Sequence, residues 1–301
     1  MASYDVKEIN RLLKQDCEKY IMDCENAYRS QLDEIVADFV GEEGRCLLML
    51  AGPSSSGKTT TARLLKEKLY EKGRKATVIS LDDFYLVNDK PLTFEDGTVD
   101  FETVEALDLP LISSCLQELV DKGESEIPRF CFKSKKRSGF ERVSVTDNEI
   151  IIVEGLHALN PVILNSLSCE KMRFYYVDVY SRITDGENLL FSKRELRFIR
   201  RMIRDYHHRN SDVDYTFYLW RAVQMGEDRY LFSSSLRAER EIDSIHPYEI
   251  AAFGNIAVKL LDRVAQDSVY YDTAKHLKEK LQRFDFIDIK LPKGSLLEEF
   301  I

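Results

Sequence analysis

One short stretch constrains the fold of this chain more than any other feature. Residues 48–60 read LMLAGPSSSGKTT and fit the pattern G-x-x-x-x-G-K-[ST], after a strand-like apolar run and before a helical pattern. In that context the pattern is typical of a phosphate-binding loop. Gly52 and Gly57 permit backbone conformations that a β-carbon would hinder, so successive N–H groups can point at phosphate oxygens near a helix N-terminus. The stretch predicts such a loop between a β-strand and an α-helix.

Residues in and after this loop have separate expected roles. Lys58 adds a positive charge for the β- and γ-phosphates, and the Thr59 hydroxyl offers a ligand to Mg²⁺. The residues expected to contact the cofactor lie together on the loop and at the start of the helix: Gly52, Ser54, Ser55, Ser56, Gly57, Lys58, Thr59 and Thr60. The cofactors that this arrangement predicts are ATP and Mg²⁺.

Apolar runs on both sides of the loop predict an α/β fold. Four runs are typical of buried strands, at 45–51, 76–81, 149–153 and 172–179. Helical patterns over 58–72 and 103–121 separate them, and such alternation favours a parallel sheet flanked by helices. We therefore expect a P-loop fold with a parallel sheet as its centre.

Both ends of the chain read as helical additions to this sheet. Apolar residues recur every three or four positions from Val6 to Val40, and the chain after Tyr215 reads as mostly helical. These patterns predict an N-terminal helical extension over 1–43 and one P-loop domain with a helical C-terminal region over 44–301. The N-terminal helices serve for packing or for pairing two copies, and we expect a homo-oligomer.

Acidic residues follow two of the predicted strands. Magnesium bound with a nucleotide needs an acidic ligand besides Thr59, and Glu154 at the end of IIIVEG is the best candidate. Asp82 ends VISLDD, where a carboxylate can accept a proton from an attacking hydroxyl or hold the metal. Asp83 is a substitute for it. For either aspartate, a helix N-cap is the structural alternative.

A basic segment at 193–205 reads KRELRFIRRMIRD. Arg194, Arg197, Arg201 and Arg204 recur at helical spacing, so one face of a helix carries four guanidinium groups. Nucleotide phosphates can supply the counter-charge, and we expect this helix to be a mobile lid that excludes water during transfer. The alternatives are a solvated face with salt bridges and a surface for RNA.

Composition limits the partners and the compartment. The net charge is −9 and the isoelectric point is about 5.3, which argues against a chain that coats nucleic acid or an anionic membrane. The six cysteines form no C-x-x-C pair, which disfavours a disulfide framework and a zinc site. No run is long enough to span a membrane. We expect a cytoplasmic protein with small-molecule substrates.

Four segments together carry a family resemblance. In order, GPSSSGKTT, LDDFY, IIIVEG and KRELRFIRRMIRD resemble the uridine kinase and phosphoribulokinase group of P-loop kinases over about residues 45–210. Beyond them, GEDRYLF, HPYEI and the stretch 291–301 resemble the catalytic half of longer bacterial uridine kinase-like proteins. The resemblance implies a nucleoside kinase-like domain with ATP and Mg²⁺ as cofactors.

The resemblance also implies roles at the acceptor side. The catalytic base falls on Asp82, and Tyr85 is expected beside the nucleoside. A ribose-binding aspartate of the family falls on Asp100 as first choice and on Glu102 as second. The first arginine of the lid maps onto Arg197, which is expected to contact ribose or phosphate and to take part in catalysis.

The next lid arginine of the family falls on Arg200 or Arg201, of which we take Arg201 as the catalytic candidate. The family's base-binding segment usually reads I-P-x-Y-D-F with a histidine three residues later, whereas this chain reads IPRFCFKSK over 127–135. Phe130 and Phe132 keep the aromatic walls, but Cys131 replaces the aspartate and Lys135 stands at the histidine position. Looser base discrimination than in a strict uridine-cytidine kinase follows, because aromatic walls read no polar edge.

Taken together, the residues and the resemblance predict phosphorylation of the 5′-hydroxyl of a ribonucleoside, uridine or cytidine. One alternative is a kinase of the same fold for another hydroxyl substrate, such as a sugar phosphate, pantothenate or glycerate. A second is a nucleotide-binding regulatory protein without turnover. Asp82 beside Lys58 and Glu154 favours an enzyme, because a sensor has no need of a base.

Overall fold

The structure is a computed structural model of the chain, and it describes residues 2–87, 92–131, 134 and 136–301. The strands are β1 (Ser3–Asp5), β2 (Cys46–Ala51), β3 (Ala76–Ser80), β4 (Glu124–Cys131), β5 (Lys136–Ser144), β6 (Ile150–Glu154), β7 (Met172–Asp178), β8 (Arg182–Asp185), β9 (Asn188–Phe191) and β10 (Arg240–Asp243). The α-helices are α1 (Val6–Gln15), α2 (Cys17–Ala37), α3 (Lys58–Glu71), α4 (Leu109–Asp121), α5 (Pro161–Leu164), α6 (Lys193–Arg209), α7 (Val213–Gly226), α8 (Phe232–Ser235), α9 (Glu249–Leu261) and α10 (Tyr271–Leu281). Short 3₁₀ helices cover Leu81–Phe84, Val104–Ala106 and Leu296–Phe300, and a π-helical turn covers Glu227–Leu231.

A five-stranded sheet in the order β10-β7-β2-β6-β3 forms the centre of the fold, and every neighbouring pair is parallel. Strand β2 is buried along its whole length. Its continuous apolar sequence follows from this position, because helices cover both faces of a parallel sheet. Leu48 and Leu50 pack on one face with α2, α3 and α6, and Leu47 and Met49 pack on the other with α4.

The order of the strands brings the carboxyl ends of β2, β6 and β3 side by side. After β2 the chain crosses by α3 to β3, returns to β6 beside β2, and then continues to β7 on the opposite side of β2. This reversal creates a crevice at the carboxyl ends of the strands, where ligands bind in open α/β sheets. The loop after β2, the turn after β3 and the end of β6 all lie at that edge.

The first forty residues pack against the same core as the sheet. Strand β1 pairs in parallel with β8, and the apolar side chains of α1 and α2 belong to the cluster that contains β2 and α3. The Tyr28 hydroxyl on α2 is hydrogen-bonded to the Thr61 hydroxyl on α3 at 2.7 Å. The predicted helical extension is therefore one short strand followed by two helices. In the described part of the chain, no helix is long and apolar enough to cross a membrane.

Helix α6 differs from its expected form. Its residues are buried without interruption from Leu196 to Ile203, and they include Arg197, Arg200 and Arg201. It packs against α7, α9 and Leu296–Phe300. The arginine-bearing helix is thus part of the core in this structure, because apolar residues lie between the arginines and pack against the neighbouring elements, and its role as a mobile lid stays a prediction.

Candidate active site

The loop between β2 and α3 has the shape that its glycines allow. Gly57 adopts φ +94° at the start of α3, and Ser55 also has a positive φ, +58°. A β-carbon on Gly52 would lie 2.2 Å from the carbonyl oxygen of Val177 on β7. The predicted strand–loop–helix unit is therefore confirmed, and the two glycines are required for different reasons, Gly57 by backbone conformation and Gly52 by space.

Polar groups of this loop fit a phosphate. The side chains of Ser55 and Ser56 are buried, and neither hydroxyl has a hydrogen-bond partner among the described residues. Buried hydroxyls are normally bonded, so these two indicate a polar ligand. The Lys58 ammonium donates to the carbonyl of Pro53 at 3.0 Å, and Lys58 is the first residue of α3, whose N-terminus favours an anion. Donors of this kind fit an anionic phosphate chain.

Glu154 lies at the end of β6, directly beside α3. Its Oε1 accepts hydrogen bonds from the Ser80 hydroxyl at 2.7 Å and from the Thr59 hydroxyl at 3.3 Å. Burial, together with the negative charge of Asp82, raises the pKa of Glu154 to about 7. A positive ion beside this carboxylate would oppose both effects.

The oxygens at this point fit Mg²⁺. In the described residues no three histidine, cysteine, aspartate or glutamate side chains form a metal-binding group. Magnesium nevertheless needs only one or two carboxylates, because phosphate oxygens and water complete its shell. Thr59 and Glu154, with Asp82 nearby, are the protein ligands that this site can supply.

The two aspartates after β3 have different surroundings. Asp83 accepts a hydrogen bond from Arg129 at 2.8 Å and one from the Phe130 backbone N–H at 3.0 Å, so it fastens the hairpin of β4 and β5. Asp82 is exposed to the cleft and accepts no hydrogen bond from a described residue. Neither caps a long helix. The structure leaves Asp82, and not Asp83, available for chemistry.

Aromatic rings line the side of the cleft next to the hairpin. The rings of Tyr85 and Phe130 are 5.8 Å apart at an angle of 49°. Burial, together with the charge of Asp82, raises the pKa of the Tyr85 hydroxyl. Phe132, the second predicted wall, and Lys135 lie outside the described residues. The observed pair therefore consists of Tyr85 and Phe130.

Glu102 rather than Asp100 lies toward the charged centre. Asp100 is buried, and its carboxylate accepts hydrogen bonds from the Tyr230 hydroxyl at 2.6 Å and from the Glu102 N–H at 3.1 Å. The pKa of Glu102 is raised to about 7, mainly by burial; the charges of Glu227 and Asp82 also raise it, and those of Arg201 and Lys58 lower it. Asp100, the first candidate for the ribose-binding aspartate, thus fixes the backbone. Glu102, the second candidate, lies among the candidate catalytic groups.

The position of Glu102 is held from two sides. The His157 ring nitrogen Nε2 lies 2.8 Å from the Glu102 carbonyl oxygen. A β-carbon on Gly226 would lie 2.2 Å from the Glu102 β-carbon, so α7 passes directly against this residue. Little space is left for the Glu102 backbone to move.

Arg197 supports the phosphate-binding loop from behind. Its side chain is 1% exposed, with Asp178 at 3.2 Å from Nε and Glu227 bound through both terminal nitrogens, one of them at 2.9 Å. It also donates to the carbonyl oxygen of Ser54 at 3.1 Å. The structure places this predicted catalytic and substrate contact in a buried ion-pair cluster, where its two terminal nitrogens are hydrogen-bonded to Glu227 and Ser54.

Arg201 is the arginine that approaches the cleft. Its guanidinium donates to the Ser54 hydroxyl at 2.8 Å and lies 3.2 Å from the Asp205 carboxylate. Burial lowers the pKa of Arg201, although the charges of Asp205 and Glu102 favour the protonated form. Arg209 lies within charge range of Asp82 from the end of the same helix. Arg200 points away, to Glu249 at 2.6 Å.

Three acidic residues at or behind the site were missed from the sequence. Asp178 ends strand β7, so the strand-end reasoning that found Glu154 was available for it. Glu227 lies in GEDRYLF, which carried resemblance but no assigned role. Glu299 contacts Thr60 across 239 residues, and no local pattern announces that contact.

The parallel sheet, the glycine loop and the strand-end acids define a P-loop nucleotide-binding fold with a catalytic cleft at its carboxyl edge. The family model described as "Phosphoribulokinase / Uridine kinase family" matches residues 47–250. The chain belongs to this family, and it is a P-loop kinase, a phosphotransferase with a hydroxyl acceptor.

Several relatives of the chain are named as uridine or uridine-cytidine kinases. A uridine kinase of Lactobacillus helveticus is 30% identical over 168 residues, 56% of this chain and 71% of that protein. Uridine-cytidine kinase B of Dictyostelium discoideum is 26% identical over 198 residues, 64% of this chain and 72% of its own length. A solved structure of a possible uridine kinase from Bacillus stearothermophilus has a TM-score of 0.48 and 19% identity, and the match covers 71% of this chain and 98% of that one.

Proposed function

We propose that the chain is an ATP- and Mg²⁺-dependent kinase that phosphorylates the 5′-hydroxyl of a ribonucleoside, with uridine and cytidine as first candidates. The observation that carries the proposal is Asp82, an exposed carboxylate without a hydrogen-bond partner among the described residues, within charge range of Glu154 and Glu102. The names of the relatives support the choice of acceptor. Its compartment, the cytoplasm, and its homo-oligomeric state stay predictions.

On the donor side, the chain supplies positive charge and N–H groups. Lys58 exchanges its bond to the Pro53 carbonyl for the phosphates, and the loop N–H groups hold the phosphate oxygens in place. Arg201 lies next to the loop at Ser54, where its charge stabilises the transferred phosphoryl group. When bound, Mg²⁺ held by Thr59 and Glu154 neutralises charge on the phosphates.

On the acceptor side, the chain supplies a base and two recognition surfaces. Asp82 accepts the proton of the attacking hydroxyl or orients it. Tyr85 and Phe130 offer faces for a nucleobase, and Glu102 offers its carboxylate to the ribose hydroxyls. Aromatic faces accept any base, so the ribose contact and not the base contact sets the class of acceptor.

A panel of hydroxyl acceptors tests the proposal directly. Purified chain is incubated with Mg²⁺ and ATP, and ADP release is measured with uridine, cytidine, purine nucleosides, pantothenate, glycerate and sugar phosphates. Product mass spectrometry then identifies the phosphorylated position. We expect phosphorylation of a pyrimidine ribonucleoside, and turnover of a non-nucleoside alone would overturn the proposed acceptor.

A pair of lysine variants tests the loop. Lys58→Ala is expected to abolish phosphoryl transfer and leave the thermal unfolding temperature without ligand nearly unchanged, because this side chain contributes little to packing. Lys66→Ala, on an exposed position of the same helix, is the matched control and should keep full activity. Near-normal turnover by Lys58→Ala would refute the assignment of the loop.

A further inference from the structure

A distant segment of the chain lies on the phosphate-binding end of α3. The 3₁₀ helix Leu296–Phe300 places Glu299 against the first turn of α3. One oxygen of the Glu299 carboxylate accepts two hydrogen bonds from Thr60, from its backbone N–H at 3.2 Å and from its hydroxyl at 2.8 Å. An internal anion therefore binds the donors at the N-terminus of this helix.

These donors are ones that a nucleotide needs. The N–H groups at the start of the helix after a G-x-x-x-x-G-K-[ST] loop bind phosphate oxygens, and the helix dipole favours a negative charge there. Glu299 supplies that negative charge from within the protein, and it also lies within charge range of Glu154. A phosphate at Thr60 would meet both an occupied N–H group and a repelling carboxylate.

The backbone of the segment is fixed, whereas the Glu299 side chain is not enclosed. Leu296, Leu297 and Phe300 are fully buried, and Ser295 donates to the buried Glu25 carboxylate at 2.6 Å. Leu296 fills the space beside Gly57, where a β-carbon would lie 2.5 Å from its Cδ1. Glu299 itself is partly exposed. Rotation of its side chain alone is enough to release Thr60.

We propose that Glu299 is an internal competitor for the nucleotide, whose carboxylate must leave Thr60 before a phosphate binds at this end of α3. The inference rests on the proposed function, because it takes the loop as the nucleotide site. Such competition raises the apparent dissociation constant of the nucleotide, which equals the intrinsic constant divided by the fraction of molecules in which Glu299 has left Thr60. Removing the carboxylate should therefore tighten nucleotide binding.

Isothermal titration of the full chain with a non-hydrolysable ATP analogue and Mg²⁺ tests this proposal. Glu299→Gln keeps the size of the side chain and removes its charge, and Glu299→Ala removes the contact altogether. If Glu299 is bound to Thr60 in roughly 90% of the molecules, the dissociation constant should fall by about 10-fold for Glu299→Ala. It should fall by less for Glu299→Gln. Thermal unfolding checks that each variant folds.

The neighbouring residue provides the control. Glu298 has the same charge and lies in the same segment, but it is exposed and accepts a hydrogen bond from the Gly294 N–H at 2.8 Å. Glu298→Gln should leave the dissociation constant unchanged. Equal or weaker binding by both Glu299 variants, with binding by the unmodified chain, overturns the inference alone. Absence of binding by every form overturns the proposed function and the inference with it.

Discussion

Neighbouring aspartates after β3 offer a sharp test of the catalytic assignment. Asp82→Asn and Asp83→Asn remove the same charge from adjacent residues of one 3₁₀ turn. Asp82 accepts no hydrogen bond from a described residue, whereas Asp83 is bound by Arg129 and by the Phe130 N–H. The two variants should therefore affect different properties of the protein.

For Asp82→Asn we expect kcat to fall by about 10²-fold or more, since a general base is lost while shape is kept. A hundredfold loss corresponds to about 2.7 kcal/mol of transition-state stabilisation. Nucleotide binding should persist, because the loop and Lys58 are untouched. The unfolding temperature should change little, because no described residue loses a hydrogen bond.

For Asp83→Asn we expect a larger effect on stability than for Asp82→Asn and a smaller effect on turnover. Asparagine can still accept the Phe130 N–H, but the ion pair with Arg129 at 2.8 Å is lost. A charged hydrogen bond of this kind contributes about 1–2 kcal/mol, so the unfolding temperature should fall by a few degrees. Turnover should fall much less than for Asp82→Asn, because the carboxylate that faces the cleft remains.

Steady-state kinetics with saturating ATP and acceptor, combined with thermal unfolding of each variant, measures both effects. The reasoning is refuted if Asp83→Asn loses most of its turnover while Asp82→Asn stays active. That result would mean that Asp83 leaves Arg129 during the reaction and that the base had been assigned to the wrong neighbour.

Three further predictions concern the buried ion pairs of the core, the pH dependence of stability and the choice of nucleobase. Arg197→Met removes the buried partner of two buried carboxylates and leaves them only the more exposed Lys193 and Arg194, so it should cost at most about 3–5 kcal/mol in the free energy of unfolding by urea, against at most about 1 kcal/mol for Arg194→Met. Without ligand, Glu154 binds its proton more tightly in the folded chain than in the unfolded one, since its pKa is raised from 4.5 to about 7, so stability should fall as pH rises through that window. Glu154→Gln should flatten this slope in urea unfolding, and a slope equal to that of the unmodified chain contradicts the assignment. Purine nucleosides should be accepted at appreciable rates, and Cys131→Asp with Lys135→His should sharpen the preference for pyrimidines in competition assays; complete rejection of purines by the unmodified chain contradicts this reasoning.

Local sequence patterns predicted the centre of the fold, because the burial and direction of a strand determine which residues it can contain. The continuous apolar runs of β2 and β6 are the signature of strands covered on both faces, β3 and β7 carry shorter runs and are partly buried, and glycines mark the loop after β2. Strand β10, four residues long, carries no such run and lies in a region whose pattern predicts mostly helix. Its place in the sheet depends on pairing with β7, which no local pattern encodes.

Side-chain roles were harder to predict than elements. Asp100 and Glu102 are two residues apart with the same charge, and the hydrogen bonds from the Tyr230 hydroxyl and the Glu102 N–H show that Asp100 is the one that fixes the turn. Tyr230 comes from a π-helical turn 130 residues away in the chain. Asp82 and Asp83 present the same difficulty, since the partner of Asp83 lies on the hairpin. Distant hydrogen bonds, rather than residue type, separate structural from chemical carboxylates here.

The arginines of α6 show why charge pattern alone gave the wrong environment. A buried ion pair seldom adds net stability, because desolvation offsets the attraction, so the Asp178–Arg197–Glu227 cluster is weak as an explanation of folding. Arg197 of this cluster also donates to the Ser54 carbonyl, so the cluster holds the phosphate-binding loop in place. Arg197 and Arg201 both bind the loop at Ser54, the first through the Ser54 carbonyl oxygen and the second through the Ser54 hydroxyl. Preorganised donors of this kind stabilise developing charge without the cost of reorientation. Arg197 therefore acts on the phosphate site through the loop, whereas Arg201 of the same helix binds the loop and also approaches the cleft at Glu102.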